Sequence, residues 1–222
     1  MGNKHINAFT LSEILITLGI IGIVAVITIP SFVNAHKAAQ YKSQFLKSYS
    51  ALQQALILME NEGVSTNIND YRPDKFAATF INYFKKAVYC GNCNDRKKFN
   101  NCWDVWDGNK YLSLSKNTMR TDWLDDGQIL LPDGTNIYVE NLYKNFISVD
   151  INGYSSPPNR WGIDLFTFEL INGKLLAVGA LGTSYTGDRY CSFENNAREN
   201  GITCSYKALQ DPNYFKKLRY IH

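Results

Sequence analysis

The stretch AFTLSEILITLGIIGIVAVITIP, residues 8–30, contains one charged side chain at the start of an otherwise apolar segment. From Ile14 to Ala35 the sequence has no Asp, Glu, Lys or Arg. A run of that length can cross the hydrocarbon core of a bilayer, which takes about 20 apolar residues. The charge is Glu13, and a carboxylate that enters lipid alone costs a few kcal/mol, so we expect it to have a partner.

The residues around this charge form a recognisable signal. The N-terminus of type IV pilins and of the pseudopilins of type II secretion reads roughly G-F-T-L-x-E, followed by an apolar run. Four residues match that signal: Phe9, Thr10, Leu11 and Glu13. Ala8 stands where the family usually has Gly, and Pro30 falls where many of these helices carry a proline. Over about 30 of its 222 residues the chain therefore resembles the pilin and pseudopilin family.

The resemblance implies a function and a maturation route. It implies that a prepilin peptidase removes the leader, residues 1–8, by cutting between Ala8 and Phe9, and that the new amine of Phe9 is methylated. It also implies a single-pass protein of the bacterial cytoplasmic membrane with its head outside. The subunit would join other subunits through an inner-membrane assembly platform, forming a periplasmic or cell-surface filament. The amine of a neighbouring copy would then be the partner of Glu13. The resemblance does not distinguish a surface pilus from a secretion pseudopilus, or a major subunit from a minor one.

A protein of a different class would also begin with an apolar segment. A conventional secretory signal could end at Val33-Asn34-Ala35 and release a secreted or membrane-tethered binding domain. The apolar run is longer than the ~7–15 residues of such a signal, and an acidic residue is not typical of its start. A plain membrane anchor explains the length of the run but not Phe-Thr-Leu-Ser-Glu.

The residues after the membrane segment carry the pattern of an amphipathic helix. Apolar side chains recur at the three- and four-residue spacing of one helical face: Tyr41, Phe45, Tyr49, Leu52, Leu56 and Met59. Gly63 is suited to a left-handed helix cap. The sequence predicts a transmembrane and assembly helix over residues 9–62, apolar over 14–35. Pro30 removes one helical hydrogen bond and is predicted to kink or locally melt the helix, as a tolerated proline or as a functional joint.

Residues 63–222 are predicted to form one extracytoplasmic head domain. Apolar periodicity predicts a second helix from Pro73 to Val88, and the polar stretch 90–127 is predicted to be irregular. Five segments then have strand patterns: 128–131, 136–139, 146–151, 164–170 and 174–178. Pro132-Asp-Gly-Thr and Asn172-Gly173 supply turns between them. The predicted fold is α+β: a long N-terminal helical stalk packed on a small antiparallel sheet, as in the family that the chain resembles.

All five cysteines lie in the head: Cys90, Cys93, Cys102, Cys191 and Cys204. Since an exported head meets an oxidising compartment, paired cysteines are expected. Cys191 and Cys204 enclose a polar loop and are the preferred pair, closing the C-terminal region as in many pilins. Among the other three, Cys90–Cys102 is favoured over Cys93–Cys102. Zinc would need a fourth ligand, and no histidine is near.

Histidine placement argues against an enzyme. His5 lies in the leader, His36 at the membrane exit and His222 at the C-terminus, so the head interior has no imidazole for a Ser-His or Cys-His pair. The adjacent acids Asp125 and Asp126 are expected to be solvated on a turn. We therefore expect no catalytic site.

Two groups of residues in the head are candidates for binding a ligand. Asp150, Asn152 and Asp164 could gather oxygens for calcium, as a C-terminal loop does in some pseudopilins, but the EF-hand spacing is not met and an Asn-Gly turn is favoured. We therefore expect no cofactor. The basic run 96–99 beside Trp103 and Trp106 could hold single-stranded DNA, but a solvated surface is the favoured interpretation. The formal net charge of +3 also gives no strong attraction for nucleic acid.

Processing before Phe9 can be tested by blocking the position before the cut. We expect Ala8→Leu to retain the uncleaved precursor in the membrane, because a peptidase pocket that takes Gly or Ala has no room for Leu. The mass of the mature chain is the measurement. A mature N-terminus at His36 would instead indicate a secretory signal, and an intact Met1 would indicate a plain anchor.

Overall fold

The computed structural model describes residues 10–72, 75–93, 102–103 and 111–218. Within these residues the chain forms the following helices and strands: α1 (Leu11–Asn61), α2 (Lys75–Phe80), β1 (Val88–Gly91), β2 (Gly127–Leu130), β3 (Asn136–Glu140), β4 (Phe146–Asp150), β5 (Leu165–Ile171), β6 (Lys174–Ala177), α3 (Cys204–Gln210) and α4 (Tyr214–Lys217). Short 3-10 turns lie at Ile68–Asp70, Ile81–Tyr83 and Thr121–Trp123.

The six strands form one antiparallel sheet in the order β1 to β6, so each strand pairs with its neighbours in sequence. The five strands predicted from sequence are confirmed, with bounds that differ by one residue. Asn172 and Gly173 have φ angles of +50° and +76°, the left-handed conformation that a two-residue hairpin turn requires. The chain is therefore an α+β protein with a long apolar N-terminal helix and a six-stranded antiparallel sheet.

Helix α1 begins and ends close to the predicted residues. Thr10 is its N-cap, and the helix ends at Asn61, after which Gly63 adopts a φ of +71°. The amide of Val64 donates to the carbonyl of Met59 at 2.9 Å, so the glycine turns the chain back onto the last helical turn. The predicted glycine stop is confirmed, whereas Phe9 lies outside the described residues.

The second half of α1 packs lengthwise on one face of the sheet. Phe45 is the centre of this contact, because its ring lies 4.5 Å from that of Phe166 and 5.7 Å from that of Phe215 in α4. Leu52 and Met59 continue the contact and are fully buried. The predicted apolar stripe is confirmed at every position except Tyr49, which is half-buried and stacks on Phe168.

The opposite face of the sheet is covered as well, by chain that lacks regular structure. Trp103, Tyr111 and Trp123 from the predicted irregular stretch form a second aromatic cluster with Tyr138 of β3 and Trp161. All five residues of β3 are buried, so both faces of this strand are covered. Because both faces are covered, the head has three layers: helix, sheet and irregular chain.

The predicted second helix over Pro73–Val88 was wrong in its extent. Among the described residues, α2 covers only Lys75–Phe80, and β1 takes up Val88 and the next three residues. A 3-10 turn over Ile81–Tyr83 ends in an extended Phe84, Lys86 has a φ of +58°, and Val88 pairs with Leu130 of β2. The ladder bonds to β2 and the β-branched side chain of Val88 favour the strand over the helical periodicity.

The Phe45 contact is predicted to contribute strongly to the stability of the head. Phe45→Ala should lower the free energy of unfolding by about 3–5 kcal/mol, because it leaves a cavity between α1, β5 and α4. Leu46→Ala is the matched control, since Leu46 is 43% exposed on the same helix and should change stability by about 0.5 kcal/mol or less. Chemical denaturation of the full chain in detergent measures both. Equal losses in the two variants would contradict the packing role of Phe45.

Candidate assembly surface and polar sites of the head

The first part of α1 leaves the head and exposes an apolar surface on all sides. Between Ile14 and Val33, thirteen large apolar side chains are each at least 38% exposed. The first buried residue of the helix is Ala38, and from there the head covers one side. Within the described residues, α1 is the one helix long and apolar enough to cross a membrane, and its most apolar window is entirely unburied.

A capping box closes the N-terminus of this surface. The carboxylate oxygen Oε2 of Glu13 accepts hydrogen bonds from the backbone N and from Oγ1 of Thr10, both at 2.8 Å. In return, Thr10 Oγ1 accepts from the backbone N of Glu13 at 3.3 Å. The sequence prediction placed the partner of Glu13 on another copy and did not include Thr10. The pattern Thr-x-x-Glu before an apolar run is nevertheless the signature of a capping box.

The two threonine hydroxyls inside the apolar segment are hydrogen-bonded to the backbone of the same helix. Thr17 Oγ1 donates to the carbonyl of Ile14, and Thr28 Oγ1 donates to the carbonyl of Val24, both at 2.9 Å. These bonds leave no free hydroxyl donor on either threonine, as an apolar environment requires. The helix continues through Pro30 and does not melt there.

The exit of the apolar segment lies against the C-terminal end of the described chain. A groove of about 430 Å³ is lined on α1 by Ser31, Asn34, Ala35 and Ala38, and on the other side by Phe215, Lys216 and Leu218. Lys42 Nζ donates to the carbonyl of Pro212 at 3.1 Å. The C-terminal end of the described chain thus lies next to the end of the apolar segment, where α1 enters the head.

The structure brings together the three calcium candidates at the ends of β4 and β5. Asp150 and Asp164 are both fully buried, and the amide of Ile151 donates to the carbonyl of Asp164 at 2.9 Å. The side chain of Asn152 approaches from the turn and bonds the carbonyl of Ser156 at 2.7 Å. The three residues named as weak calcium candidates therefore lie close together at one end of the sheet.

The hydrogen-bond donors around Asp150 and Asp164 indicate the role of these two carboxylates. Asp150 accepts from the Tyr111 hydroxyl at 2.6 Å and from the Gly153 amide at 2.9 Å, on different oxygens. The two oxygens of Asp164 accept from the amides of Asn159 and Arg160, at 2.8 and 2.6 Å. Every carboxylate oxygen of the pair is thus bonded within the chain. A calcium ion would have to displace these donors, so the residues fit a role in ordering the loops.

Burial controls the ionisation of this pair. Burial raises the pKa of Asp150 to about 7. The hydrogen bonds from Tyr111 and from the turn amides act in the opposite direction and lower this pKa, but by less. Burial and then the neighbouring charge of Asp150 raise the pKa of Asp164 well above its usual value. The second charge is therefore the harder one to form, as expected for two carboxyl groups in one buried site.

The structure contains two disulfides, Cys191–Cys204 and Cys90–Cys102, which are the two pairs that sequence analysis favoured. The remaining Cys93 is buried, and its thiol donates to the carbonyl of Leu124 at 3.3 Å. The Cys191–Cys204 bond ties the first residue of α3 to the preceding loop. That loop is less solvated than its composition suggests, because Asn200 is fully buried and its amide donates to the carbonyls of Ser192 and Asn195.

Other predicted sites fall outside the described residues or find a structural role. Ala8, Phe9, the basic run 96–99 and Trp106 all lie outside the described residues. Trp103 is 2% exposed and packs edge-on against Tyr111, so its ring is not available to stack on a nucleic-acid base.

Comparison of the chain with protein-family models, with curated proteins and with solved structures found no match.

Removal of the Cys191–Cys204 bond is expected to destabilise the head locally. The double variant Cys191→Ser, Cys204→Ser should lose about 2–5 kcal/mol of head stability and become sensitive to protease near residues 192–203, because the loop is no longer closed. Limited proteolysis of the detergent-solubilised chain measures this. Cys93→Ser, which keeps both disulfides, is the control. Non-reducing peptide mapping that joined Cys191 or Cys204 to the 90–102 group would overturn the pairing.

Proposed function

We propose that this chain is a structural subunit of a type IV pilus or type II secretion filament, held in the membrane by residues 14–35 until it assembles. The observation that carries the proposal is the division of α1. Its first part exposes an apolar surface on all sides, whereas its second part is built into a folded head. One continuous helix therefore joins a lipid-compatible segment to a water-soluble domain.

The size of the exposed segment supports a membrane location before assembly. Residues 14–35 would span about 33 Å at 1.5 Å per residue, close to the ~30 Å hydrocarbon core of a bilayer. With about 1.5–3 kcal/mol for each large apolar side chain, the thirteen exposed ones would cost on the order of 20 kcal/mol in water. The segment therefore needs either lipid or other protein around it.

Assembly would surround the apolar segment with other protein instead of lipid. In a filament, the apolar helices of neighbouring subunits would bury one another through a contact that repeats without closing. Gly19 and Gly22 favour such packing, since a Cβ atom at either position would meet nothing within 4 Å in the single chain. Their small size is thus not needed by the fold itself and leaves room for a neighbouring helix.

Glu13 would serve both states of the protein. In the single chain its carboxylate is held at the helix N-terminus by Thr10, where the helix dipole favours a negative charge. Both of these bonds use Oε2. In a filament the same carboxylate would accept the amine of a neighbouring Phe9, so that only a stagger offering this amine avoids an unpaired charge.

Maturation and location complete the proposal. A prepilin peptidase would remove residues 1–8, and Phe9 would become the methylated N-terminus. The head would face the extracytoplasmic side, where both disulfides can form and persist. The assembly platform would then move the subunit from the cytoplasmic membrane into a periplasmic or surface filament.

The pairing role of Glu13 can be separated from its capping role by two variants. Glu13→Val removes the charge, whereas Thr10→Ala removes the capping hydroxyl and keeps the charge. We expect Glu13→Val to insert into the membrane and be processed but to enter filaments beside wild-type copies several-fold less than wild type. Thr10→Ala should assemble nearly as wild type. Quantifying tagged subunits in sheared filaments is the measurement.

Two results would contradict this division of roles. Normal incorporation of Glu13→Val would show that the charge does not direct assembly. An equal loss in Thr10→Ala would show that helix capping, not pairing between subunits, is what Glu13 provides. Glu60→Val is the control for an unrelated charge on α1, since Glu60 is exposed near the other end of the helix.

A further inference from the structure

The groove between α1 and α4, here called the exit groove, has both apolar and basic residues in its lining. Its volume is about 430 Å³, and it is lined by Ser31, Asn34, Ala35, Ala38, Phe215, Lys216 and Leu218. Phe215 and Leu218 are buried, whereas Lys216 is exposed. On the next turn of α1, Lys42 donates to the carbonyl of Pro212 at 3.1 Å. Two lysines, Lys42 and Lys216, therefore lie where α1 enters the head, and they are called the exit lysines below.

The sequence of α1 after the apolar segment is basic. Between Glu13 and Glu60 the helix has no acidic side chain, and its lysines are Lys37, Lys42 and Lys47. The leader before the apolar segment has one basic side chain of the Lys or Arg type, Lys4. Membrane proteins carry their excess of Lys and Arg on the cytoplasmic side. Lysines after the segment, on the proposed outer side, run against this rule and are therefore candidates for a specific role.

Acidic side chains at the surface do not balance the exit lysines. Asp211, which precedes α4, bonds to Lys217 at 2.7 Å. Further along α1, Lys47 bonds to Asp133 at 2.6 Å. Neither of the exit lysines forms an ion pair with any residue that the structure describes. Their positive charge is therefore not neutralised by the described part of the head.

Buried carboxylates of the head are bonded to its own backbone and do not reach these lysines either. Asp126 is 5% exposed, so the expectation that Asp125 and Asp126 are both solvated on a turn was wrong for Asp126. Its Oδ2 accepts from the amides of Asn141 and Leu142, at 2.9 and 2.8 Å. Such carboxylates order loops of the head, and the exit lysines remain available to an anion from outside the chain.

The position of the exit groove along α1 determines what it would meet in a membrane. With Ala35 as the last residue of the apolar segment, Ser31 lies about 6 Å before this end and Ala38 about 4.5 Å after it, at 1.5 Å per residue. The polar headgroup layer is roughly 5–8 Å thick on each side of the hydrocarbon core. The exit groove would therefore cross the boundary between acyl chains and headgroups, which matches its apolar and basic lining.

We propose that the exit groove binds an anionic phospholipid, with its phosphate held by Lys42 and Lys216 and its acyl chain against Phe215 and Leu218. This inference rests on the proposed function, since it requires residues 14–35 to lie in a membrane. Lysine binds phosphate as a point charge, and basic groups at a membrane surface attract anionic lipids. The lipid would hold the head at the membrane surface, and it would have to leave when the subunit enters a filament.

The test measures which lipid the full chain retains in detergent. The chain is mixed with equal amounts of phosphatidylglycerol and phosphatidylcholine that have the same acyl chains, and bound lipid is counted by native mass spectrometry. We expect phosphatidylglycerol to be retained several-fold more than phosphatidylcholine. Lys216→Gln should lower this ratio, and the double variant Lys42→Gln, Lys216→Gln should bring it close to one. Lys216→Arg, which keeps the charge, should keep the preference. Lys174→Gln is the matched control, because Lys174 is exposed on β6 and does not line the exit groove.

Four results would overturn the lipid site. Equal retention of the two lipids by the wild-type chain, or an unchanged preference in the double variant, would remove it and leave the proposed function standing. A preference that inorganic phosphate abolishes would indicate a site for free phosphate. Lys216→Gln that kept the lipid preference but entered filaments poorly would place a second copy in the exit groove. A chain that stays in the aqueous phase beside vesicles of both lipids would contradict the membrane segment, and with it the proposed function as well.

Discussion

The packing of Phe45 against Phe166 and Phe215 is the contact on which the rest of the structure depends. It joins three elements that are far apart in sequence: the long helix α1, strand β5 of the sheet and the short helix α4. Because α1 is one continuous helix, this contact also fixes the direction in which the apolar segment leaves the head. The stability of the head and the direction of the apolar segment therefore depend on the same aromatic cluster.

Helix α1 consists of two parts with different surfaces. From Ile14 to Val33 its large apolar side chains are exposed on all sides, and from Ala38 onward one face packs into the core of the head. In the first part, the Thr10–Glu13 capping box and the hydroxyls of Thr17 and Thr28 satisfy polar groups by hydrogen bonds within the helix. One continuous helix thus has an unpartnered apolar surface at one end and a core-forming face at the other in the described part of the chain.

The head orders its long loops with buried polar groups more than with apolar ones. Asp150, Asp164 and Asn200 each hold several backbone or hydroxyl groups, and all three are fully buried. Such groups are stable in the interior because their hydrogen-bonding capacity is satisfied. Glu140 holds a loop in the same way through one carboxylate oxygen, which accepts from the amides of Leu142 and Tyr143, whereas its other oxygen has no hydrogen-bond partner among the described residues.

Periodicity, turn residues and local spacing predicted the long helix, its apolar stripe, five of the six strands and the Cys191–Cys204 disulfide, whereas they left the pairing of Cys90, Cys93 and Cys102 open. Tertiary structure alone decided the rest. Val88 joined a strand because β2 offered it ladder bonds, and the irregular stretch became a buried layer because its aromatic side chains could cover the far sheet face. The burial of Asp126 opposite Glu140 likewise required strand register, which brings together residues that are distant in sequence.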